Sequence, residues 1–108
     1  MDTTLSGLHI DEITAWLRGV EKIDEFEYYD FMPGSKWASD SENVKGKSVR
    51  EVLDFLNNDF TESLDSFVEV QMKAFKSGRH QVIVRKIKAT ASKREITKIA
   101  VLSYNKPT

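Results

Sequence analysis

The chain has 108 residues, of which 40% are apolar and 31% charged, with a formal net charge of −1. These values suit a single globular domain with one core, and they exclude an intrinsically disordered chain. The absence of cysteine excludes disulfides, thiolate nucleophiles and cysteine-ligated metal sites, and no apolar run approaches the roughly 20 residues of a membrane-spanning helix. We therefore expect a cytoplasmic protein without a membrane partner.

The first third of the chain predicts one helix followed by one strand. Residues 1–8 are expected to be a loose lead-in. Residues 9–20 carry an apolar stripe at helical spacing, with Asp11 in the first turn and Gly19 as the stop. Aromatic residues alternate with acidic ones from residue 25 onward, which is typical of a strand. Pro33 and Gly34 then predict a turn, and residues 36–38 a short return strand.

The middle of the chain predicts two helices. Ser48 and Glu51 form a capping box, and an apolar stripe follows up to Leu56. Asp59 is expected to cap a longer helix that ends near residue 75 and is closed by Gly78. The apolar face of this second helix would consist of Phe60, Leu64, Phe67, Val68, Met72 and Phe75.

Two β-branched strands, residues 80–89 and 94–104, complete the pattern and are expected to pair antiparallel. The resulting order is α-β(-β)-α-α-β-β. It predicts an α+β fold, an antiparallel sheet with helices on one face, built on residues 25–104 within a single domain of residues 1–108.

The segments "VKGKSVREVL", "NDFTESLDSFVEVQMKAFKSGRHQVIVRKIK" and "KREITKIAVLSY" together resemble the central and C-terminal part of a PAS domain. The shared pattern is a glycine before a short helix, a longer helix that ends at a small residue and glycine, and two long antiparallel strands. Here Gly46, Ser77 and Gly78 occupy those places, and the resemblance covers residues 26–104. It implies a sensory or protein-interaction module, with a small-molecule pocket between the sheet and the short helices.

Catalytic and metal chemistry find little support in the sequence. His9 and His80 lie far apart, and neither has a histidine partner at ligand spacing. Asp24, Glu25, Glu27 and Asp30 could supply an acid and a base, but neighbouring solvated carboxylates are much commoner than catalytic ones. We therefore predict no enzyme, no metal and no cofactor. A small apolar ligand in a pocket lined by Phe60, Phe67, Met72 and Phe75 stays open as an alternative.

The charge distribution suggests two binding surfaces. Residues 1–70 hold 6 basic residues against 16 acidic ones, whereas residues 71–108 hold 10 basic residues against Glu95 alone. The acidic–aromatic surface is expected to contain Glu25, Glu27, Tyr28, Tyr29 and Trp37. The basic hairpin is expected to present Arg79, Arg85, Lys86, Lys88, Lys93, Arg94 and Lys98.

These surfaces predict a signalling or interaction module that binds a protein partner or forms a homodimer. The contact would use the sheet face and the N-terminal helix, with charge steering the encounter. The alternative is a nucleic-acid-binding protein that uses the basic hairpin for phosphate contacts.

Overall fold

The computed structural model describes residues 2–31, 47–90 and 92–106. Its elements, in chain order, are β1 (Asp2–Ser6), α1 (Ile10–Trp16), β2 (Lys22–Ile23), β3 (Glu25–Asp30), β4 (Lys47–Ser48), α2 (Val49–Asp59), β5 (Ser66–Ala74), β6 (Arg79–Ala89) and β7 (Arg94–Asn105). Five strands form an antiparallel sheet in the order β1-β5-β6-β7-β3, and β2 pairs with β4. The fold is α+β, as the sequence predicts.

Both helices pack on the same face of the sheet. Residues paired across antiparallel strands share a face, so Val70, Val84 and Ala100 lie in one row on β5, β6 and β7. All three are fully buried, and they belong to one core cluster with Ile13 of α1 and Leu56 of α2. We call this side of the sheet the covered face and the opposite side the open face.

The capping box predicted before α2 is present in part. Ser48 Oγ accepts a hydrogen bond from the Glu51 backbone N–H at 3.2 Å and donates one to the Glu51 carboxylate at 2.9 Å. The helix continues past Leu56 to Asp59, which was expected to cap the next helix, and Phe60 ends it, fully buried. The N-terminal helix is also confirmed, since α1 spans Ile10–Trp16 with Ile13 buried.

The predicted second helix up to residue 75 is wrong. Residues 66–74 form β5 in the interior of the sheet, between β1 and β6. Val68, Val70 and Met72 also alternate with polar residues, and this period of two matches a strand with one buried face. Leu64 consequently lies fully exposed in the preceding loop, and Gly78, with φ +90°, serves the turn from β5 to β6 rather than a helix end.

The expectation of a loose lead-in at residues 1–8 is also wrong. Residues 2–6 form β1, which pairs antiparallel with β5 from Asp2 opposite Lys73 to Ser6 opposite Glu69. The segment alternates exposed and half-buried residues, and Leu5 packs against the core. The segment is short and weakly apolar, so its sequence alone does not indicate a strand. The strand forms because its backbone pairs with β5.

A β-bulge interrupts the hairpin of β6 and β7. Lys86 pairs with Lys98, whereas the next residue, Ile87, pairs with Ile96, which leaves Thr97 as the extra residue. Thr97 is nearly buried, and its hydroxyl donates to the Lys86 carbonyl oxygen at 3.2 Å. The bulge keeps Ile96 on the open face and Lys98 on the covered face.

Candidate binding surfaces

The open face has an apolar centre and a charged border. No residue that the structure describes packs over it. The residues that the register places on it are Asp2, Thr4 and Ser6 of β1, Phe67, Glu69, Gln71 and Lys73 of β5, Arg79, Gln81, Ile83, Arg85, Ile87 and Ala89 of β6, Arg94, Ile96, Ile99, Val101, Ser103 and Asn105 of β7, and Glu25, Glu27 and Tyr29 of β3. Ile96 stands out, with 41% of its surface exposed. An apolar patch of this kind is typical of contact surfaces.

The predicted acidic–aromatic surface divides between the two faces of β3. Glu25, Glu27 and Tyr29 alternate onto the open face, as the period of two in a strand requires. Tyr28 points to the covered face, where its ring meets Phe55 edge-on at 4.9 Å. Trp37, the turn at Pro33 and Gly34, the return strand at 36–38 and Gly46 lie outside the described residues.

Hydrogen bonds hold both tyrosines of β3 in place. Tyr29 donates to the Glu27 carboxylate at 2.8 Å, and this bond, followed by burial, raises the pKa of Tyr29. Tyr28 donates to Asp30 at 3.4 Å. Burial is the main cause that raises the pKa of Tyr28, and the nearby carboxylates of Asp30 and Asp59 add to it. Both hydroxyls therefore stay protonated at neutral pH.

The basic hairpin also divides between the faces. Its three arginines lie on the open face, each beside a partner. Arg79 pairs with Glu25 at 3.5 Å, Arg85 pairs with Glu69 at 3.9 Å, and the Arg94 guanidinium lies 5.2 Å from the centre of the Phe67 ring. The three arginines of the hairpin are thus engaged within the chain.

The lysines of the hairpin point elsewhere. Lys93 is exposed in the loop that joins β6 to β7. Lys86 and Lys88 face the covered side beyond the end of α2, where they line a cleft of about 300 Å³. We call it the lysine cleft; its lining residues are Asp30, Asp65, Ser66, Lys86, Lys88, Thr97 and Lys98.

The four residues predicted to line an apolar pocket do not meet. Phe60 is fully buried in the core, and Met72 packs against that core from β5. Phe67 lies on the open face, and Phe75 is 47% exposed in the turn before β6. The prediction grouped these residues by helical spacing, but residues 66–74 form a strand, in which that spacing does not place them on one face.

The histidines have structural contacts. His80 Nδ1 lies 2.9 Å from the Gly78 carbonyl oxygen, and its ring stacks on Tyr104 at 5.5 Å. His9 Nε2 lies 2.8 Å from the Ser6 carbonyl oxygen. Within the described ranges, no three His, Asp or Glu side chains group in a way that could hold a metal ion, and no helix there is long and apolar enough to cross a membrane.

Sequence reasoning missed several residues of both surfaces. The helical pattern predicts a helix at Lys73, a residue of the open face, whereas the alternation of Val68, Val70 and Met72 indicates the strand that is present. Ser66 and Thr97 of the lysine cleft carry no local signal, since their positions depend on the register and on the bulge.

Comparisons of the chain with protein-family models, with curated proteins and with solved structures each gave no match. The functional argument therefore depends on the geometry of the open face and the lysine cleft.

Proposed function

We propose that this chain is a non-catalytic binding module that forms a homodimer through its open face. The observation that carries the proposal is the apolar centre around Ile83, Ile96 and Val101, over which none of the described residues packs, in a sheet whose other face is occupied by α1 and α2. The N-terminal helix lies on the covered face, so it and the open face do not form one continuous surface. The contact is assigned to the sheet alone.

The register supports a second copy of the chain as the occupant. Lys73, Gln81, Ser103 and Glu25 lie in one cross-strand row on β5, β6, β7 and β3, in which Lys73 and Glu25 carry opposite charges, and Asp2 of β1 continues the row beyond Lys73. A two-fold axis parallel to the strands, between β6 and β7, places β5 of one copy over β3 of the other at the same height. Lys73 then meets Glu25 of the second copy at both ends of a self-complementary interface.

The apolar centre is matched in the same arrangement. Ile83 and Val101 are direct cross-strand partners, so the same axis stacks Ile83 of one copy on Val101 of the other. Four strands spaced about 4.8 Å apart give a face of roughly 400 Å² in projection. Over both copies this amounts to about 800 Å² in projection, which is in the size range of weak and transient interfaces, so we expect a dissociation constant in the micromolar range.

The PAS-like interpretation has mixed support. A five-stranded antiparallel sheet agrees with it, as do the two long C-terminal strands, β6 and β7. However, β5 stands where the resemblance has a longer helix, and β1 lies before the region of resemblance. We propose a sensory or interaction role because of the open face, and the resemblance to PAS domains does not carry this proposal.

Nucleic-acid binding is less well supported than dimerisation. The arginines of the hairpin are engaged by Glu25, Glu69 and Phe67, and the lysines Lys86 and Lys88 lie on the opposite face. A phosphate backbone requires a continuous cationic surface, and the pleat of β6 divides this one.

Sedimentation equilibrium from about 5 to 500 μM, the range that brackets a micromolar constant, tests the proposal. We expect the average mass to rise from 12.4 kDa toward twice that value. Ile96→Glu should weaken association at least tenfold. Leu64→Glu is the matched control, because Leu64 is an exposed apolar residue off the open face. A monomer over the whole range, or equal effects of the two variants, would rule the dimer out.

A further inference from the structure

The lysine cleft contains two ammonium groups that the register sets against each other. Lys86 and Lys98 are direct cross-strand partners on the covered face, and Lys88 lies two residues along the same strand. Like charges opposite each other destabilise a sheet. The two partners are half-buried, and the next residues inward on the same face, Val84 and Ala100, are fully buried.

Two carboxylates accompany the three lysines of the cleft. Asp30 is the direct cross-strand partner of Lys98, and Asp65 pairs with Lys88, so Lys86 is the lysine of the cleft that has no carboxylate partner among the described residues. Asp65 accepts from Ser63 at 3.1 Å and from Ser66 at 3.4 Å, and it pairs with Lys88 at 3.9 Å. These contacts, led by the Ser63 hydroxyl, lower the pKa of Asp65. Asp30 accepts from Tyr28.

The two opposed lysines keep donors available. Lys98 Nζ donates to the Asp59 carbonyl oxygen at 3.4 Å, which uses one of its three N–H groups. The Lys86 ammonium makes no hydrogen bond or ion pair with any residue in the described ranges. The bulge at Thr97 fixes the backbone beside both lysines, since the Thr97 hydroxyl is bonded to the Lys86 carbonyl oxygen.

We infer that the lysine cleft binds a small phosphate-bearing molecule whose oxyanion lies between Lys86 and Lys98. A dianion placed there would convert the repulsion of the two lysines into two charge-assisted hydrogen bonds. The volume of about 300 Å³ suits a small metabolite rather than a polymer. Asp30 and Asp65, on the border of the same cleft, would accept hydrogen bonds from hydroxyl groups of such a ligand.

The test is a titration of the full chain with inorganic phosphate and with glycerol phosphate, followed by amide chemical shifts at constant ionic strength. We expect saturable shifts around residues 86–88 and 96–98, and tighter binding of glycerol phosphate than of phosphate. Equal affinity for the two probes would overturn the assignment of a phosphorylated molecule. Shifts that sodium chloride reproduces at the same ionic strength would overturn the site itself.

Variants separate the cleft from general surface charge. Lys86→Gln should weaken binding of glycerol phosphate at least tenfold, and Lys86→Arg should retain most of it. Lys76→Gln, in the exposed turn before β6, is the control and should change nothing. Equal effects of Lys86→Gln and Lys76→Gln would overturn the inference. None of these variants alters the open face, so the result is independent of the proposed dimer.

Discussion

Lys73 and Glu25 lie three strands apart in one cross-strand row on the open face, separated by Gln81 of β6 and Ser103 of β7, and Asp2 of β1 continues the row beyond Lys73. They are too far apart in one sheet to pair with each other. Glu25 has Arg79 within 3.5 Å in its own chain. Lys73 and Glu25 can form an ion pair only between two copies of the chain, when β5 of one sheet lies over β3 of the other.

Removal of the Tyr104 hydroxyl by mutation is expected to have an unusual effect on stability. It is fully buried and has no hydrogen-bond partner among the described residues. An unsatisfied buried hydroxyl costs free energy, so Tyr104→Phe should leave the free energy of unfolding unchanged or raise it by about 1 kcal/mol. Tyr28→Phe, which removes the bond to Asp30, should lower it by about 0.5–1 kcal/mol. Urea unfolding measures both; a marked loss in Tyr104→Phe would show that its hydroxyl is bonded.

The same tyrosine predicts a loss of stability at high pH. Burial raises the pKa of Tyr104 from 10.0 to about 12. The native state therefore binds the phenolic proton more tightly than the unfolded state, and the contribution is complete below pH 10 and lost as the pH rises to 12. We expect wild type to lose roughly 2–3 kcal/mol over this interval relative to Tyr104→Phe. If the free energy of unfolding of the two proteins showed the same dependence on pH, the raised pKa of Tyr104 would be contradicted.

The assignment of residues 66–74 to a strand can be tested with two apolar truncations. Val70 is fully buried at the centre of β5, whereas Leu64 is fully exposed in the loop before it. Val70→Ala should lower the free energy of unfolding by about 2 kcal/mol, and Leu64→Ala by less than about 0.5 kcal/mol. On the predicted helix, Leu64 would lie on the buried apolar face, and Val70, six residues further on, would lie off that face. A larger loss for Leu64→Ala than for Val70→Ala in urea unfolding would therefore favour the helix.

Sequence reasoning succeeded where the local signal and the fold agree. Ser48 and Glu51 mark the start of α2 because capping depends on neighbouring residues alone. The alternation of Glu25, Glu27 and Tyr29 places them on one face for the same reason. The β-branched residues of β6 and β7 likewise identify both strands.

The predictions from sequence were wrong where residues distant in the chain determine the local structure. The segment around Val70 satisfies both a helical and a strand period, and the neighbouring strands β1 and β6 select the strand. The charge pattern predicts one basic surface on the hairpin, but because of the pleat and the bulge at Thr97 the arginines lie on the open face and Lys86, Lys88 and Lys98 lie on the covered face. Composition counts charges and gives no information about the face on which each one lies.

The most direct test of the proposed dimer is a charge exchange measured by sedimentation equilibrium. Glu25→Lys and Lys73→Glu should each weaken association about threefold to tenfold, because each places like charges opposite one another across the two-fold axis. The double variant should restore it to near the wild-type value, and Glu12→Lys with Lys76→Glu, both exposed and off the open face, serve as controls. Additive losses in the double variant, or no effect of either single change, would contradict a homodimer built on the open face.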